Sequence, residues 1–356
     1  MAYIALGQVR RELFVHFDEI YQKCYDKPMG FANQLANEFK ARIKGQPYRD
    51  EDILHSFHVY LEELLREKLE KKVKRDGMRS RNVCLAGGCA LNIKWNSAIR
   101  NSGLFEQVYV PPFPNDSGSA VGMACAAMAK AAGTLALDWN VYSGPAIARG
   151  GAVAGWEATP CPVGELARLL YQTKEPVVLL NGRAELGPRA LGNRSIIADA
   201  TSPAIKDVLN RVKDREAYRP VSPICLEEKA PRIFVPGSPD PFMLFDHLVK
   251  PEWLDRIPGV CHLDGTARLQ TVRRSENPVM AELLEAYEQL SGIPLLCNTS
   301  ANYKGSGFFP DPQSAAEWNQ VNYIWCDYVL YAKPEKTSFK TVPAGSRVAA
   351  APQSVR

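Results

Sequence analysis

Apolar residues recur at helical spacing over residues 51–75, where Leu54, Phe57, Leu61, Leu64, Leu65 and Leu69 line one stripe. Glu67 with Lys71 and Glu70 with Lys74 add i,i+4 pairs of the favourable sense. The spacing predicts one amphipathic helix ended by Gly77, with the basic run from Lys68 to Arg81 as a solvated face. Asn82 to Ala86 reads as a short buried strand meeting Gly87-Gly88, and Gln107 to Val110 as a second one running into Pro111–Gly118. Ser119 to Ala132 is almost wholly Ala, Gly, Val and Met, a helix whose small side chains imply close packing against a sheet or another helix. Glycine, proline and alanine dominate residues 133–163, which read as a linker or irregular crossover. Regular alternation then resumes, with helices near 163–172, 203–213 and 278–290 and strands near 177–180, 222–226 and 293–297. No internal repeat is visible, and the pattern predicts an α/β fold.

Composition changes this picture little. A chain of 356 residues allows two or three domains, and 46 % apolar with 23 % charged residues is ordinary for a soluble protein. The net charge of +4 is too small to argue for nucleic acid or a membrane surface. No apolar run reaches the ~18–20 residues a spanning helix needs, and the N-terminal arginines follow rather than precede their apolar patch, the wrong order for a secretory signal. Nine cysteines without a CxxC pair, several in apolar contexts such as Ile224-Cys225-Leu226, fit reduced thiols and a cytoplasmic location.

Candidate chemistry concentrates at strand exits. After Val177–Leu180 comes Asn181-Gly182-Arg183-Ala184-Glu185-Leu186-Gly187-Pro188-Arg189-Ala190-Leu191-Gly192-Asn193-Arg194-Ser195-Ile196. Its glycines allow close backbone approach and its arginines offer planar cationic forks, a combination suited to phosphate; the alternative is a surface turn tied down by local carboxylates. Lys213-Asp214-Arg215-Glu216-Ala217-Tyr218-Arg219-Pro220 is a second basic cluster, either solvated pairs or the opposite jaw of a polyanion clamp. Between His262 and Gln270 a strand-like alternation would place His262, Arg268 and Gln270 on one face, either as a site or as the ordinary polar stripe of an exposed strand. Thr299, Ser300 and Asn302, following Leu296-Cys297, supply neutral donors for a phosphate cradle. Asp116 either caps the following helix or offers a carboxylate to a metal or magnesium nucleotide, and Gly87-Gly88 permits close approach of a nucleotide. His55 and His58 lack a nearby third ligand and read as helix decoration rather than a metal pair.

Taken in order, CLAGGCALN at 84–92, PPFPNDSGSAVG at 111–122, GRAELGPRALGNRSI at 182–196, VKDREAYRP at 212–220, HLDGTARLQTV at 262–272 and LLCNTSANYKG at 295–305 resemble the nodulation-type and antibiotic-pathway O-carbamoyltransferases (the NodU/TobZ-like family). The resemblance covers about residues 50–335, and GPRALGNRS is its most specific string. It implies part of an ASKHA-like lobe (actin and sugar-kinase type) over 1–150, a YrdC-like α/β domain over 160–340 and a flexible tail over 341–356. It implies that carbamoyl phosphate is cleaved to carbamate, which attacks the α-phosphate of ATP to give carbamoyl-adenylate. A hydroxyl of a sugar or natural product then takes the carbamoyl group.

By the same resemblance Arg189, Lys213, Arg219 and Arg268 bind carbamoyl phosphate and the ATP phosphates. Arg194, Arg215, Thr299, Ser300, Asn302, Gly87 and Gly88 assist, and Mg2+ is expected on the triphosphate. Asp116 matches the family's aspartate ligand for Fe2+ or another divalent metal, but its histidine partners have no counterpart, and KGSGFFPDP replaces the usual acidic turn after Tyr303. Full-length relatives carry a whole lobe ahead of the Gly87-Gly88 motif; here it is expected to be missing, as in a truncated form, a relic, or a split enzyme whose separate polypeptide supplies it. Neither nucleic acid nor membrane is expected as a partner. Two rival readings remain: a YrdC-type threonylcarbamoyl-adenylate synthase, and a non-catalytic fragment that binds a nucleotide or a partner.

Overall fold

The computed structural model describes residues 2–24, 31–77, 80–133, 139–148, 151–303 and 306–336. The expected tail at 341–356 lies outside the described residues, as do Lys304 and Gly305. Three helices come first, α1 (Phe14–Cys24), α2 (Phe31–Ile43) and α3 (Asp50–Asp76). Leu13, Phe17 and Tyr60 are buried between them, with Phe14 and Phe39 against the same cluster. Ahead of α1, residues 2–10 form a strap laid along the start of α3. The Gln8 N–H donates to Asp52 Oδ1 at 2.8 Å and the Arg10 N–H to Ser56 Oγ at 2.8 Å. Gly7 is required there, since a Cβ would meet the Glu51 carbonyl oxygen at 2.1 Å.

A small unit follows: β1 (Asn82–Cys84), α4 (Ile93–Arg100), β2 (Gln107–Tyr109) and α5 (Ser119–Ala132). β1 and β2 pair in parallel, and the Asn92 side chain caps α4 by accepting from the Lys94 and Trp95 N–H groups. α5 corrects one expectation. None of its residues is buried, and Met123 is 74 % exposed, so its small side chains do not pack closely against a described element.

The principal core draws its buried residues from Val153 to Ala332. Its elements are β3 (Glu157–Pro160), α6 (Val163–Thr173), β4 (Val177–Leu180), β5 (Arg194–Ala198), α7 (Ala204–Val212) and β6 (Ser222–Leu226). Next come α8 (Ala230–Ile233), β7 (Phe234–Val235), β8 (His247–Val249), α9 (Pro251–Leu254), β9 (Thr266–Ala267) and β10 (Gln270–Val272). The last are α10 (Pro278–Ser291), β11 (Leu295–Ser300), α11 (Pro312–Trp318), β12 (Tyr323–Cys326) and β13 (Val329–Ala332). Eight strands form one mixed sheet in the order β10-β6-β11-β5-β4-β12-β13-β3, and β7, β8 and β9 form a separate three-stranded sheet. The continuous apolar runs expected at β4, β6 and β11 become its central strands because both faces are covered; α6 packs along α10 on one of them. The uninterrupted alternation expected between His262 and Gln270 does not form one strand. β9 and β10 belong to different sheets, and Arg268 lies at the step between them.

Candidate active site

The loop between β4 and β5 is held from inside. Glu185 is 4 % exposed, and its Oε1 accepts the N–H groups of Leu191 (2.6 Å), Asn193 (2.7 Å) and Arg194 (3.1 Å). Burial pushes the Glu185 carboxyl up, and those amide donors oppose the shift. The backbone closes at Gly187, which has φ +100 and sits where a Cβ would lie 2.9 Å from the Pro112 carbonyl oxygen. A second buried set, Gln270 and Asn298, fixes the far end. Gln270 Nε2 donates to the Leu191 carbonyl (2.8 Å), and Asn298 Nδ2 donates to the Ala190 carbonyl (3.1 Å) and to Gln270 Oε1 (2.6 Å). Arg189 is therefore presented from a loop fixed on both sides.

Arg189 faces a cavity of about 610 Å3 together with Arg215, Arg219 and Arg268. Arg268 Nε donates to Ser222 Oγ at 2.9 Å, and Arg215 Nε donates to Asn210 Oδ1 at 2.5 Å. Buried Arg189 Nε and Arg215 Nη2 have no hydrogen-bond partner. Among the described residues no carboxylate pairs with Arg189, Arg215 or Arg268. Burial, then the charges of Arg189 and Arg215, hold Arg268 well below the usual guanidinium range, and burial with Arg219 draws Arg215 to about 10. Asp240 acts on Arg268 and Glu216 on Arg215 only weakly against this, and three cations crowded in a low-dielectric site without a directly paired carboxylate favour an anion. Arg219 sits at the rim, paired with Glu216 at 2.6 Å.

Lys213 belongs to an adjoining cluster with the residues expected beside it. Its Nζ donates to the Ser300 carbonyl (2.6 Å), the Asn302 carbonyl (2.6 Å), Ser300 Oγ (3.3 Å) and Asn302 Oδ1. Thr299 lies buried in β11 opposite Ile196. Burial and the charge of Arg215 draw Lys213 to about 7, while the surrounding oxygens favour its ammonium form. A group with a depressed pKa holds its charge below that value and loses it above. Affinity for sulfate, whose charge is constant in this range, should therefore fall several-fold from about pH 6 to about pH 8.5. Calorimetric titration checks this, and a Lys213→Arg protein should be flat over the same interval.

Other expected residues stand elsewhere. Arg194 is 1 % exposed and does not reach the cavity. Its Nη1 donates to the Asn181 and Asn193 carbonyls (2.9 Å each) and its Nη2 to those of Gly182 (3.0 Å) and Pro145 (3.3 Å). The phosphate-ligand role expected for Arg194 is thus replaced by a structural one, because backbone oxygens already take its donors. Gly87 and Gly88 are exposed beside the Asn115–Gly118 turn, with the Gly87 N–H on the Pro114 carbonyl at 2.7 Å, and they lie outside the arginine cavity. Asp116 opens a 3-10 turn ahead of α5, whose cap position is Gly118 without a side-chain bond. No group of three or more His, Cys, Asp or Glu side chains able to hold a metal occurs among the described residues, so Asp116 does not fit a metal centre here.

The opposite wall was not legible as a site. His55, His58 and Glu62 of α3, with Ala2, Ile4 and Ala5 of the strap, line the same cavity. His55 Nδ1 hydrogen-bonds the Gly7 carbonyl at 2.9 Å, and His58 stacks on Trp95 with ring centroids 5.3 Å apart. Tyr3 meets Tyr218 edge-on at 5.6 Å, so the strap bridges α3 and the Lys213–Pro220 segment.

A buried guanidinium cluster without a directly paired carboxylate, carried on an α/β sheet, has the chemistry of a small-anion site. A family model described as Carbamoyltransferase C-terminus matches residues 167–333, and one described as Carbamoyltransferase N-terminus matches residues 1–125. The chain is 52 % identical over 349 residues to "Nodulation protein U" of Rhizobium tropici, covering 94 % of this chain and 60 % of that protein. It is 50 % identical over 358 residues to "Nodulation protein U" of Sinorhizobium fredii (95 % and 63 %). With "3'-hydroxymethylcephem-O-carbamoyltransferase" of Streptomyces clavuligerus it shares 39 % identity over 289 residues (77 % and 55 %). The chain belongs to the carbamoyltransferase family, and it spans about three fifths of the length of the nodulation relatives it matches. No described helix is long and apolar enough to cross a membrane.

Proposed function

We propose that this chain carries the carbamoyl-activating chemistry of an ATP-dependent O-carbamoyltransferase. In this reading residues 160–340 form a YrdC-like unit and residues 1–150 part of an ASKHA-like lobe. Water cleaves carbamoyl phosphate to carbamate and phosphate; a carbamate oxygen then attacks the α-phosphorus of ATP, and pyrophosphate leaves with carbamoyl-adenylate formed. Transfer to a hydroxyl of a sugar or natural product releases AMP. The observation that carries the proposal is the convergence of Arg189, Arg215 and Arg268 on one cavity with no described carboxylate in ion-pair contact with them. Phosphoryl chemistry spreads negative charge over several oxygens, and fixed cations stabilise that charge without reorganising. Arg219 stands at the rim, and Lys213 with Ser300 and Asn302 forms an adjoining cluster outside the cavity's lining. Mg2+ would arrive on the triphosphate.

Exchange of labelled pyrophosphate into ATP tests this directly. The purified chain should catalyse exchange that depends on carbamoyl phosphate and releases inorganic phosphate. Exchange supported by bicarbonate and threonine instead, or by neither, overturns the proposal.

A further inference from the structure

His262 lines the arginine cavity, and its Nε2 is buried without a hydrogen-bond partner. Its other nitrogen determines what Nε2 can do. Nδ1 lies 3.0 Å from Thr266 Oγ1. That oxygen receives a hydrogen bond from Lys94 Nζ at 3.1 Å and stands 2.7 Å from Asp264 Oδ1. Burial alone would raise Asp264, but Lys94 and Thr266 outweigh it and hold the carboxyl at about 2, so it is an anion and acceptor only. The single Thr266 hydroxyl proton must therefore point to Asp264. Thr266 Oγ1 is left as an acceptor for His262, which places the imidazole proton on Nδ1 and an unshared pair on Nε2. Burial keeps the ring neutral, drawing it to about 4.

We propose that this Nε2 recognises the amide N–H of a carbamoyl group, and thereby separates carbamoyl phosphate from acyl phosphates of the same shape. The inference rests on the carbamoyl phosphate reading above and assigns a residue to its selectivity. Guanidiniums only donate, so Arg189, Arg215 and Arg268 hold phosphate oxygens but offer nothing to an amino group. Asp264 is already taken by Lys94 and Thr266. Glu62 feels Arg66, Asp246 and Lys94 rather than the guanidinium cluster, and His55 and His58 stand on the opposite wall, whereas His262 stands within the field of Arg268. An amino group carried by a phosphate on Arg268 therefore has His262 as its acceptor.

Acetyl phosphate supplies the test, since a methyl replaces the amino group and the phosphate is unchanged. The full chain should bind carbamoyl phosphate on the order of 10–100-fold more tightly than acetyl phosphate, the penalty for leaving a buried acceptor unpaired. His262→Leu should bring the ratio close to one, and His262→Gln, which keeps an acceptor oxygen, should retain part of the preference. Inorganic phosphate, which carries no N–H, reports whether each variant is folded with its guanidiniums in place. Equal affinity of the unaltered chain for the two acyl phosphates overturns the inference without any variant, as does a preference that survives His262→Leu. If the unaltered chain binds inorganic phosphate but neither acyl phosphate, the carbamoyl phosphate reading itself falls, a failure distinct from the loss of selectivity alone.

Discussion

Replacing Arg268 with methionine should lower phosphate release from carbamoyl phosphate by about 10²–10³-fold, the usual cost of removing one preorganised donor from developing anionic charge. The same substitution should raise the melting temperature of the ligand-free chain by about 2–4 °C, on the order of 1 kcal/mol. Both effects have one cause. Arg268 makes a single described side-chain bond, to Ser222 Oγ, and its charge faces Arg189 and Arg215, which Asp240 offsets only in part. An anion reverses that balance, so phosphate should raise the melting temperature of the unaltered chain and leave the variant unmoved. Thermal melts with and without phosphate, beside a phosphate-release assay, decide the matter. If Arg268→Met melts several degrees lower instead, Arg268 is a structural pillar and the cluster is no substrate site.

The comparison of Arg189 with Arg194 shows how far the sequence carries such a site. Both sit in the 181–196 stretch with the same residue type, and the motif alone assigned both to phosphate. What separates them is the supply of backbone oxygens from Pro145, Asn181, Gly182 and Asn193, which only the folded chain determines. Elements built on local apolar pattern, such as α3, α6, β4 and α10, were legible because period and burial coincide within each segment. β5 was hidden because Arg194 and Ser195 open it in polar residues that nevertheless lie inside the sheet. β3 was hidden because its four residues are exposed at the sheet edge. α5 was read correctly as a helix and wrongly as packed, since small side chains state how near a partner can come but not whether one is there. The cavity's second wall gave only the spacing of His55 and His58, which reads as helix decoration. Lys94 and Asp264 are 170 positions apart, and the strap that closes over α3 is an ordinary N-terminal segment in composition.

The second large effect is expected at Glu185. Its carboxylate lies in the sequence as one more polar residue between Gly182 and Gly187, yet a single oxygen of it collects three backbone N–H groups. Glu185→Ala leaves those donors facing a void. At about 1–3 kcal/mol for each buried group left unpaired, and with incomplete additivity, the local cost is on the order of 4 kcal/mol. Amide exchange of Leu191, Asn193 and Arg194 should then speed up by about 10²–10³-fold. Because Arg189 rides on the same loop, phosphate affinity should fall in step although Glu185 itself carries the wrong charge to bind an anion. Glu185→Gln separates the two contributions. It keeps an acceptor oxygen for the three amides and removes the negative charge, so the loop should stay closed and phosphate should bind at least as tightly as before. Rapid exchange in Glu185→Gln would mean that ionic charge, rather than the geometry of one acceptor, holds the arginine in place, and unchanged exchange in Glu185→Ala would mean that the loop is held from Gln270 and Asn298 alone.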